Sequence, residues 1–405
     1  MKRTQEDFRE AMRVELDANF FEEVRTGFEA TNHSTLGLIR ALQLRCPDQS
    51  GEWLYYGATV QDITDTWMAL ALRQVWGIVR RELAGIEANL VQLADRHRNT
   101  VMAGRTHGQI GLPITFGFKA SVWAMEVRRH RQRLIDLAPR LNVGQLAGGV
   151  GSLSSLGPQA LELQKSFLAR LGLDAPVTSW LTARDTLAEW FNLLALIAST
   201  GDKIGHEVYN LQRPEIDEVS EGFVTGTVGS ITMPHKRNPE IAEHLGTLAR
   251  VIRHNAALQM ESLVHDHERD GRSWKVEWAI LAETCMAVGK LLSLSGKLTA
   301  NLDVHSDRML ANLEATAGFA LSEKVMLALA AHIGKQSAHT LVYETAMAAH
   351  AERRGLKESM LENTQIRAYL SRDEIEALFD FRQHTGQCGE MVDQVLAELR
   401  RADGL

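Results

Sequence analysis

The side chains best suited to chemistry in this chain lie together in residues 229–239. This stretch reads Gly-Ser-Ile-Thr-Met-Pro-His-Lys-Arg-Asn-Pro and combines a hydroxyl, an ammonium group and a carboxamide. Its glycine frees the backbone and its prolines forbid a regular helix, so the stretch is predicted to be a loop. Such a loop can hold an anionic group while a neighbouring side chain moves a proton, although an ordinary surface loop has a similar composition.

Two further polar loops carry candidates for proton transfer or anion binding. Thr59, Gln61 and Asp62 come at the start of a predicted helix, where they can act as helix caps or as ligands. Thr106 and His107 lie in the glycine-flanked segment Gly-Arg-Thr-His-Gly-Gln. Histidine is the side chain whose ordinary pKa is closest to neutrality, so His107 is the first candidate for general acid–base chemistry.

The stretch 265–270 reads His-Asp-His-Glu-Arg-Asp and invites a metal interpretation. Its histidines and acids are contiguous, however, and lack the i, i+4 spacing of a helical metal site such as His-Glu-x-x-His. The sequence therefore predicts a salt-bridged loop at this place. No metal site is expected there.

Composition places these loops in an ordinary globular protein. The 405 residues exceed one compact core, so two or three domains are expected. The net charge of −7 comes from interspersed acids and bases and gives no case for nucleic acid or a membrane surface. Cys46, Cys285 and Cys388 are far apart, which favours a reducing compartment. No signal peptide and no bilayer-spanning apolar run are recognised, so a cytoplasmic protein is expected.

Helical periodicity dominates the chain and predicts an all-α protein. Apolar residues between 75 and 98 recur at spacings of three and four, which is the pattern of a bundle helix. Ser371 and Glu374 match a capping box that opens a short helix. Four more long helices are predicted, at 115–137, 183–212, 240–261 and 276–302. The expected architecture is an elongated central helical bundle flanked by two smaller helical domains, with domains at 75–303, 1–74 and 304–405.

Residues 229–239 resemble the signature of the fumarase/aspartase superfamily, Gly-Ser-Ser-x-Met-Pro-x-Lys-x-Asn-Pro, with Ile231 in place of the second serine. The loops at 59–62 and 106–107 fall in the order and spacing of the family's other two shared regions, and the resemblance covers nearly the whole chain. The branch it indicates contains class II fumarases, adenylosuccinate lyases and 3-carboxy-cis,cis-muconate cycloisomerases. The resemblance implies a homotetramer with active sites shared between subunits, a small dicarboxylate substrate, and no metal or organic cofactor.

The family's reaction removes a proton next to a carboxylate and breaks a bond to nitrogen or oxygen, usually releasing fumarate. Donors must therefore be aimed at the charge that builds up on that carboxylate. The resemblance gives Ser230 as the base, His107 as the general acid and Glu243 as the acid that orients this histidine. The substrate contacts that it implies are Lys236, Asn238 and Thr106 for the carboxylate, and also His33, Thr59, Gln61, Arg269, Trp180 and Trp278.

Two branches of the family compete for this chain. Trp278 stands where the adenylosuccinate enzymes have an arginine for the nucleotide phosphate, and Trp180 stands where they have a glutamine. Loss of a bidentate guanidinium contact argues against a nucleotide substrate. His107 and Glu243, which the bacterial cycloisomerases have lost, favour elimination with a protonated leaving group. The expectation is a carbon–nitrogen lyase that releases fumarate from an N-substituted aspartate or a nitrosuccinate. The alternatives are a 3-carboxy-cis,cis-muconate cycloisomerase and a non-catalytic structural homologue.

Overall fold

The computed structural model describes residues 6, 13, 16–33, 35–47, 49–222, 232–233 and 235–402. Helices account for most of these residues, and the only sheets among them are two short two-stranded ones. The expectation of an all-α protein is confirmed. The predicted long helices are also found, because each of them turns a continuous apolar stripe towards other helices.

The α-helices of the described residues are, in chain order, α1 Ala18–Thr31, α2 Leu36–Gln43, α3 Val60–Arg96, α4 Phe116–Leu141, α5 Ala160–Arg170, α6 Asp185–Leu211, α7 Glu240–Glu261, α8 Gly271–Ala300, α9 Ser306–Glu314, α10 Ser322–Ile333, α11 Lys335–Ala351, α12 Leu356–Glu362, α13 Thr364–Arg367, α14 Arg372–Leu378 and α15 Cys388–Ala402. Short 3₁₀ turns occur at Ser50–Trp53, Ser154–Leu156, Phe319–Leu321 and Phe381–Gln383. The strands are β1 Val101–Thr106, β2 Gln109–Thr115, β3 Val219–Ser220 and β4 Asp303–Val304.

One polar loop of the sequence prediction is a β-hairpin in the structure. Strands β1 and β2 pair antiparallel from Val101 with Thr115 to Thr106 with Gln109. His107 and Gly108 connect them with φ of 53° and 76°, in the left-handed region that tight hairpin turns require. The loop prediction was wrong because β1 buries the adjacent residues Met102 and Ala103 and so lacks the alternation that marks a half-buried strand.

Helix α8 contradicts the expectation that no apolar run is long enough to span a bilayer. Among the described residues it is the one helix that is long and apolar enough to cross a membrane. Its most apolar segment has a mean hydropathy of 1.3, and 39% of that segment is buried. Val288, Leu291 and Leu292 on this helix are at most 1% exposed. A core helix of a globular bundle meets the same criterion of length and composition. The expected absence of a membrane partner stays a prediction.

The described residues form two compact units. The first unit comprises Met1–Trp76, Leu137–Glu189 and Gln259–Trp278. The second unit comprises Gly77–Asp136, Trp190–Leu258 and Ala279–Leu405. The division into domains at 1–74, 75–303 and 304–405 stays a prediction.

Within the second unit, the helices from α10 to α14 share a hydrophobic core of their own. It contains fully buried residues from all five of these helices, among them Leu329, Leu356 and Ile375. The capping box that opens α14 is present: the Ser371 side chain accepts the N–H of Glu374, and the Glu374 carboxylate accepts the N–H of Ser371. The sequence prediction of this helix start is confirmed, since it depends only on residues three positions apart.

Candidate active site

The signature stretch is described only in its second half. Ser230 and Ile231 lie outside the described residues, so the role of Ser230 as base stays a prediction. Lys236 is exposed, and its backbone N–H donates to the carbonyl of Met233 at 3.0 Å. Asn238 is half-buried just before helix α7. An exposed ammonium group and a half-buried carboxamide next to each other suit a carboxylate that arrives from solvent.

Glu221 fastens the start of helix α7 to the chain that precedes the signature. Its carboxylate accepts the N–H groups of Ile241 at 3.0 Å and Ala242 at 2.7 Å, two of the donors that a helix start leaves unpaired. The side chain of Gln212 accepts the N–H of Glu221 at 2.8 Å and donates to the carbonyl of Arg237 at 3.2 Å. These contacts hold together the two ends of the segment that carries Ser230.

The candidate acid and its orienting partner are exposed in the single chain. Thr106 and His107 lie at the tip of the β1–β2 hairpin, and Glu243 lies in the first turn of α7. No hydrogen bond joins the side chains of His107 and Glu243 in the described part of the chain. Their pairing therefore stays a prediction.

The hairpin tip is anchored by a charge pair that the sequence analysis missed. Arg105, the residue before Thr106, donates from Nη1 and Nη2 to the two carboxylate oxygens of Glu218 at 2.8 and 2.6 Å. The Glu218 side chain is fully buried, and Asn312 Nδ2 donates to the same carboxylate at 2.9 Å. A bidentate pair with a buried partner fixes the strand that presents Thr106 and His107. The only sign of this pair in the sequence is the carboxylate of Glu218, which lies shortly before the signature region.

In the first unit, Asp62 organises the start of helix α3. Its carboxylate accepts backbone N–H groups from Thr59 at 2.9 Å, Ala147 at 2.7 Å and Gly148 at 3.0 Å. Burial raises the pKa of Asp62, and the three N–H donors oppose that rise. The carboxylate therefore joins the helix start to the glycine-rich segment at 147–148. Thr59 and Asp62 thus make the helix-capping contact that the sequence analysis gave as one of their two possible roles.

Gln61 and Arg269 are the two predicted substrate contacts that the structure joins directly. Gln61 is fully buried, and its Nε2 donates to the carbonyl of Leu181 at 2.7 Å. Arg269 donates from Nε to Gln61 Oε1 at 3.1 Å. Arg269 Nη2 is buried and has no hydrogen-bond partner among the described residues. A buried cationic donor without a partner is costly, so this guanidinium is suited to an anionic ligand.

The guanidinium of Arg184, also in the first unit, is not available to an anionic ligand. It donates from Nη1 and Nη2 to Asp65 at 2.8 and 3.0 Å and from Nε to Glu277 at 2.8 Å, all within the buried interior of the first unit. Burial raises the pKa of Asp65 to about 6, and attraction to Arg184 opposes the rise. The guanidinium of Arg184 also lies over the ring of Trp180, 4.8 Å from its centroid.

Two tryptophans give the first unit apolar surfaces near these charges. Trp180 donates from Nε1 to the carbonyl of Gly144 at 2.9 Å and lines a mainly apolar cavity of about 310 Å³. Trp278 is 44% exposed, and its ring packs edge-on against Trp274 at 4.8 Å. An exposed indole provides apolar contact area without a charge. His33 is exposed just beyond helix α1.

The stretch 265–270 is a salt-bridged loop, as predicted. Arg272 Nη2 lies 2.6 Å from Asp266 and 2.8 Å from Asp270. The hydrogen bonds from Arg272 hold the pKa of Asp270 well below its usual range. In the described part of the chain, no group of three or more histidine, cysteine, aspartate and glutamate side chains is arranged to hold a metal ion.

The predicted site residues thus form two sets. The first unit carries His33, Thr59, Gln61, Trp180, Arg269 and Trp278. The second unit carries Thr106, His107, Lys236, Asn238 and Glu243. The supporting residues Arg105, Glu218, Glu221 and Arg184 were missed, because their partners are distant in sequence.

The family of this chain follows from its similarity to known proteins. The family described as Lyase matches residues 4–253, and the family described as Adenylosuccinate lyase C-terminus matches residues 318–395. The chain is 40% identical to the N-acetyl-S-(2-succino)cysteine lyase of Dickeya dadantii over 95% of this chain and 84% of that protein. This chain belongs to the fumarase/aspartase superfamily. Because the matched family and this relative are lyases, the protein is an enzyme of the lyase class.

Solved structures of the same superfamily share the fold. A fumarate lyase from Mesorhizobium sp. BNC1 superposes with a TM-score of 0.90 at 32% identity, covering 97% of this chain and 89% of that chain. The 3-carboxy-cis,cis-muconate lactonizing enzyme of Pseudomonas putida superposes with a TM-score of 0.88 at 31% identity, covering 96% of this chain and 86% of that chain. The fold is therefore the fumarase-like helical bundle.

Proposed function

We propose that this superfamily member is a succinyl-adduct lyase, which cleaves a 2-substituted succinate into fumarate and the released substituent. The observation that carries the proposal is the presence of the signature serine, lysine and asparagine together with His107 at the tip of an anchored hairpin. This combination supplies a base, a carboxylate clamp and an acid. Elimination next to a carboxylate needs all three.

In the proposed reaction, the alkoxide of Ser230 removes a proton from the carbon next to one carboxylate. The electron pair of that C–H bond forms the double bond of fumarate, and the bond from the other carbon to its nitrogen or sulfur breaks. His107 donates a proton to the departing atom while Glu243 orients its ring. Lys236, Asn238 and Thr106 bind the carboxylate on which charge accumulates.

The leaving group is proposed to be small and joined through nitrogen or sulfur. The sequence alone favours an N-substituted aspartate or a nitrosuccinate. The relative at 40% identity acts, by its name, on N-acetyl-S-(2-succino)cysteine, which adds a thiol to the leaving groups considered. Trp278 provides an exposed apolar face, and Arg184 is fully occupied by its two carboxylates. A nucleotide phosphate therefore has no bidentate partner at either position.

We also propose that the enzyme works in the cytoplasm as a homotetramer in which loops of different subunits complete each site. Membership of the fumarase/aspartase superfamily supports this assembly. The second candidate activity is 3-carboxy-cis,cis-muconate cycloisomerisation. It is favoured by Trp180, Trp278 and the likeness to the Pseudomonas putida enzyme, and it is disfavoured by His107 with Glu243.

A substrate panel tests the proposal. The enzyme is incubated with succinyl adducts of cysteine and of simple amines, with nitrosuccinate, adenylosuccinate and carboxymuconate, and fumarate and lactone are quantified. Fumarate from a cysteine or amine adduct is expected, and Ser230→Ala should reduce its rate by at least about 10²-fold while the fold is retained. Ser359→Ala on helix α12 is the matched control. Lactone without fumarate would overturn the proposed reaction, and fast adenylosuccinate turnover would overturn the small leaving group.

A further inference from the structure

The amide of Gln61 has only one orientation that satisfies its surroundings. Its side chain is fully buried between the carbonyl of Leu181 at 2.7 Å and the Nε of Arg269 at 3.1 Å. A backbone carbonyl can only accept, so the NH₂ group must face Leu181. The oxygen of Gln61 must then face Arg269, and it accepts the Nε–H of that guanidinium. Gln61 thereby fixes the direction in which the remaining guanidinium donors point.

The guanidinium of Arg269 retains an unused donor. Its Nη2 has no hydrogen-bond partner among the described residues, although the atom is buried. Arg269 also acts electrostatically on Asp62, but the carboxylate of Asp62 already accepts three backbone N–H groups. The free edge of a guanidinium matches a carboxylate in charge and in geometry. Arg269 is therefore an oriented cation with a donor available to a carboxylate oxygen.

The carboxylate that this cation binds is assigned from the residues that share its unit. In the proposed function, on which this inference rests, Lys236, Asn238 and Thr106, all in the second unit, bind the carboxylate on which charge accumulates. Arg269 lies in the first unit with Trp180 and Trp278, the positions that distinguish leaving groups. We infer that Gln61 is a positioning residue that orients Arg269 to bind a carboxylate carried by the leaving group. The substrate class is a succinyl adduct of an amino-acid-like thiol or amine.

Two matched substrates isolate this carboxylate. One is the S-(2-succino) adduct of N-acetylcysteine, and the other is the adduct of N-acetylcysteamine, which lacks only the carboxylate of the leaving group. The wild-type enzyme is expected to prefer the first by about tenfold or more in kcat/KM, because a site built around a polar contact rejects an analogue that lacks it. The ratio of the two substrates does not depend on the folded fraction, so a merely structural defect leaves it unchanged.

Substitution of Gln61 should remove that preference. Gln61→Leu is expected to raise KM for the carboxylated substrate about tenfold more than KM for the other substrate, with a smaller change in kcat. Gln61→Glu keeps the size of the side chain and places a competing carboxylate on Arg269, so it should also reduce the preference. Gln164→Leu is the matched control, because Gln164 is 4% exposed and donates to the carbonyl of Leu146 at 2.7 Å.

The outcomes separate this inference from the proposed function. If fumarate is released but the wild type shows no preference, or both Gln61 variants keep it, the inference is wrong and the function stands. If neither substrate yields fumarate, the thiol leaving group fails, the proposed function fails with it when the amine adducts also yield none, and calorimetry then compares S-methyl-N-acetylcysteine with its amide. Preferential binding of the carboxylate that Gln61→Leu abolishes would support the inference, and equal binding of both ligands would overturn it.

Discussion

The guanidinium of Arg184 lies in the interior of the first unit with two of its N–H donors 2.8 and 3.0 Å from the carboxylate oxygens of Asp65. Glu277 pairs with the same guanidinium, so one cation balances two buried carboxylates. The network joins the start of helix α3, the segment that carries Trp180, and the first turns of helix α8. It therefore supports the positions on which the candidate site of the first unit is built.

Removal of this cation is expected to destabilise the protein strongly. Arg184→Leu leaves Asp65 and Glu277 buried without their counter-ion, which should lower the free energy of unfolding by about 3–5 kcal/mol. Urea denaturation at neutral pH measures the change. Arg372→Leu is the control, because Arg372 and Glu376 form an exposed pair whose loss should cost less than about 1 kcal/mol. Equal losses in the two variants would contradict the role given to the buried network.

Acid pH should destabilise the second unit through His130. This residue is 3% exposed, its Nε2 lies 2.8 Å from the hydroxyl of Thr200, and its Nδ1 faces Arg133 at 3.2 Å. Because Thr200 donates to Glu126, the neutral His130 donates from Nε2 and accepts at Nδ1. Burial and the positive charge of Arg133 lower the pKa of His130 to about 4.

The unfolded chain therefore binds this proton at a higher pH than the folded chain. The stability is unaffected above pH 6.5 and falls as the pH drops from 6.5 to about 4. The full loss is on the order of 3 kcal/mol. Denaturation curves at a series of pH values should show that His130→Gln loses less stability on acidification than the wild type, because the raised pKa of Asp65 acts with the opposite sign equally in both. His350→Gln, at an exposed histidine, should keep the wild-type profile. A decline that persists in His130→Gln would assign it to other groups.

The loss of activity on replacing His107 should depend on whether the leaving group must be protonated as it departs. His107→Gln is expected to reduce kcat by about 10²–10⁴-fold for amine or alkyl thiol adducts. For a nitro substituent the loss should be much smaller, because nitrite departs as a stable anion. Steady-state fumarate release from the two substrate classes measures the difference. A uniform loss across both classes would mean that His107 binds substrate instead of protonating the leaving group.

The anchor of the hairpin should control substrate binding at its tip. Glu218→Gln keeps the shape of a fully buried side chain but removes the charge that holds Arg105. The free energy of unfolding should fall by about 1.5–3 kcal/mol, and KM should rise by about tenfold because Thr106 is no longer held in place. Glu207→Gln, at the partner of Lys119, serves as the control. An unchanged KM in Glu218→Gln would show that the pair has no influence on the site.

Local patterns explain what the sequence predicted well. The capping box of Ser371 and Glu374 and the long apolar helices depend on residues within one or two turns of each other. The hairpin was missed because β1 buries adjacent residues instead of alternating ones. The network of Arg184 was missed for a different reason. Its partners Asp65 and Glu277 are 119 and 93 residues away in sequence, and no local rule joins them.

The sequence by itself determined the reaction class and the helical fold, because the signature around Ser230, Lys236 and Asn238 is contiguous and helix periodicity repeats every few residues. Only the tertiary structure decided which guanidinium remains available to an anion. The resemblance implies that Arg269 contacts substrate, but the neighbours of Arg184 and Arg269 along the chain do not show which guanidinium has an unpaired donor. Folding surrounds Arg184 with two carboxylates, whereas it gives Arg269 one neutral amide from Gln61 and leaves Nη2 without a partner among the described residues.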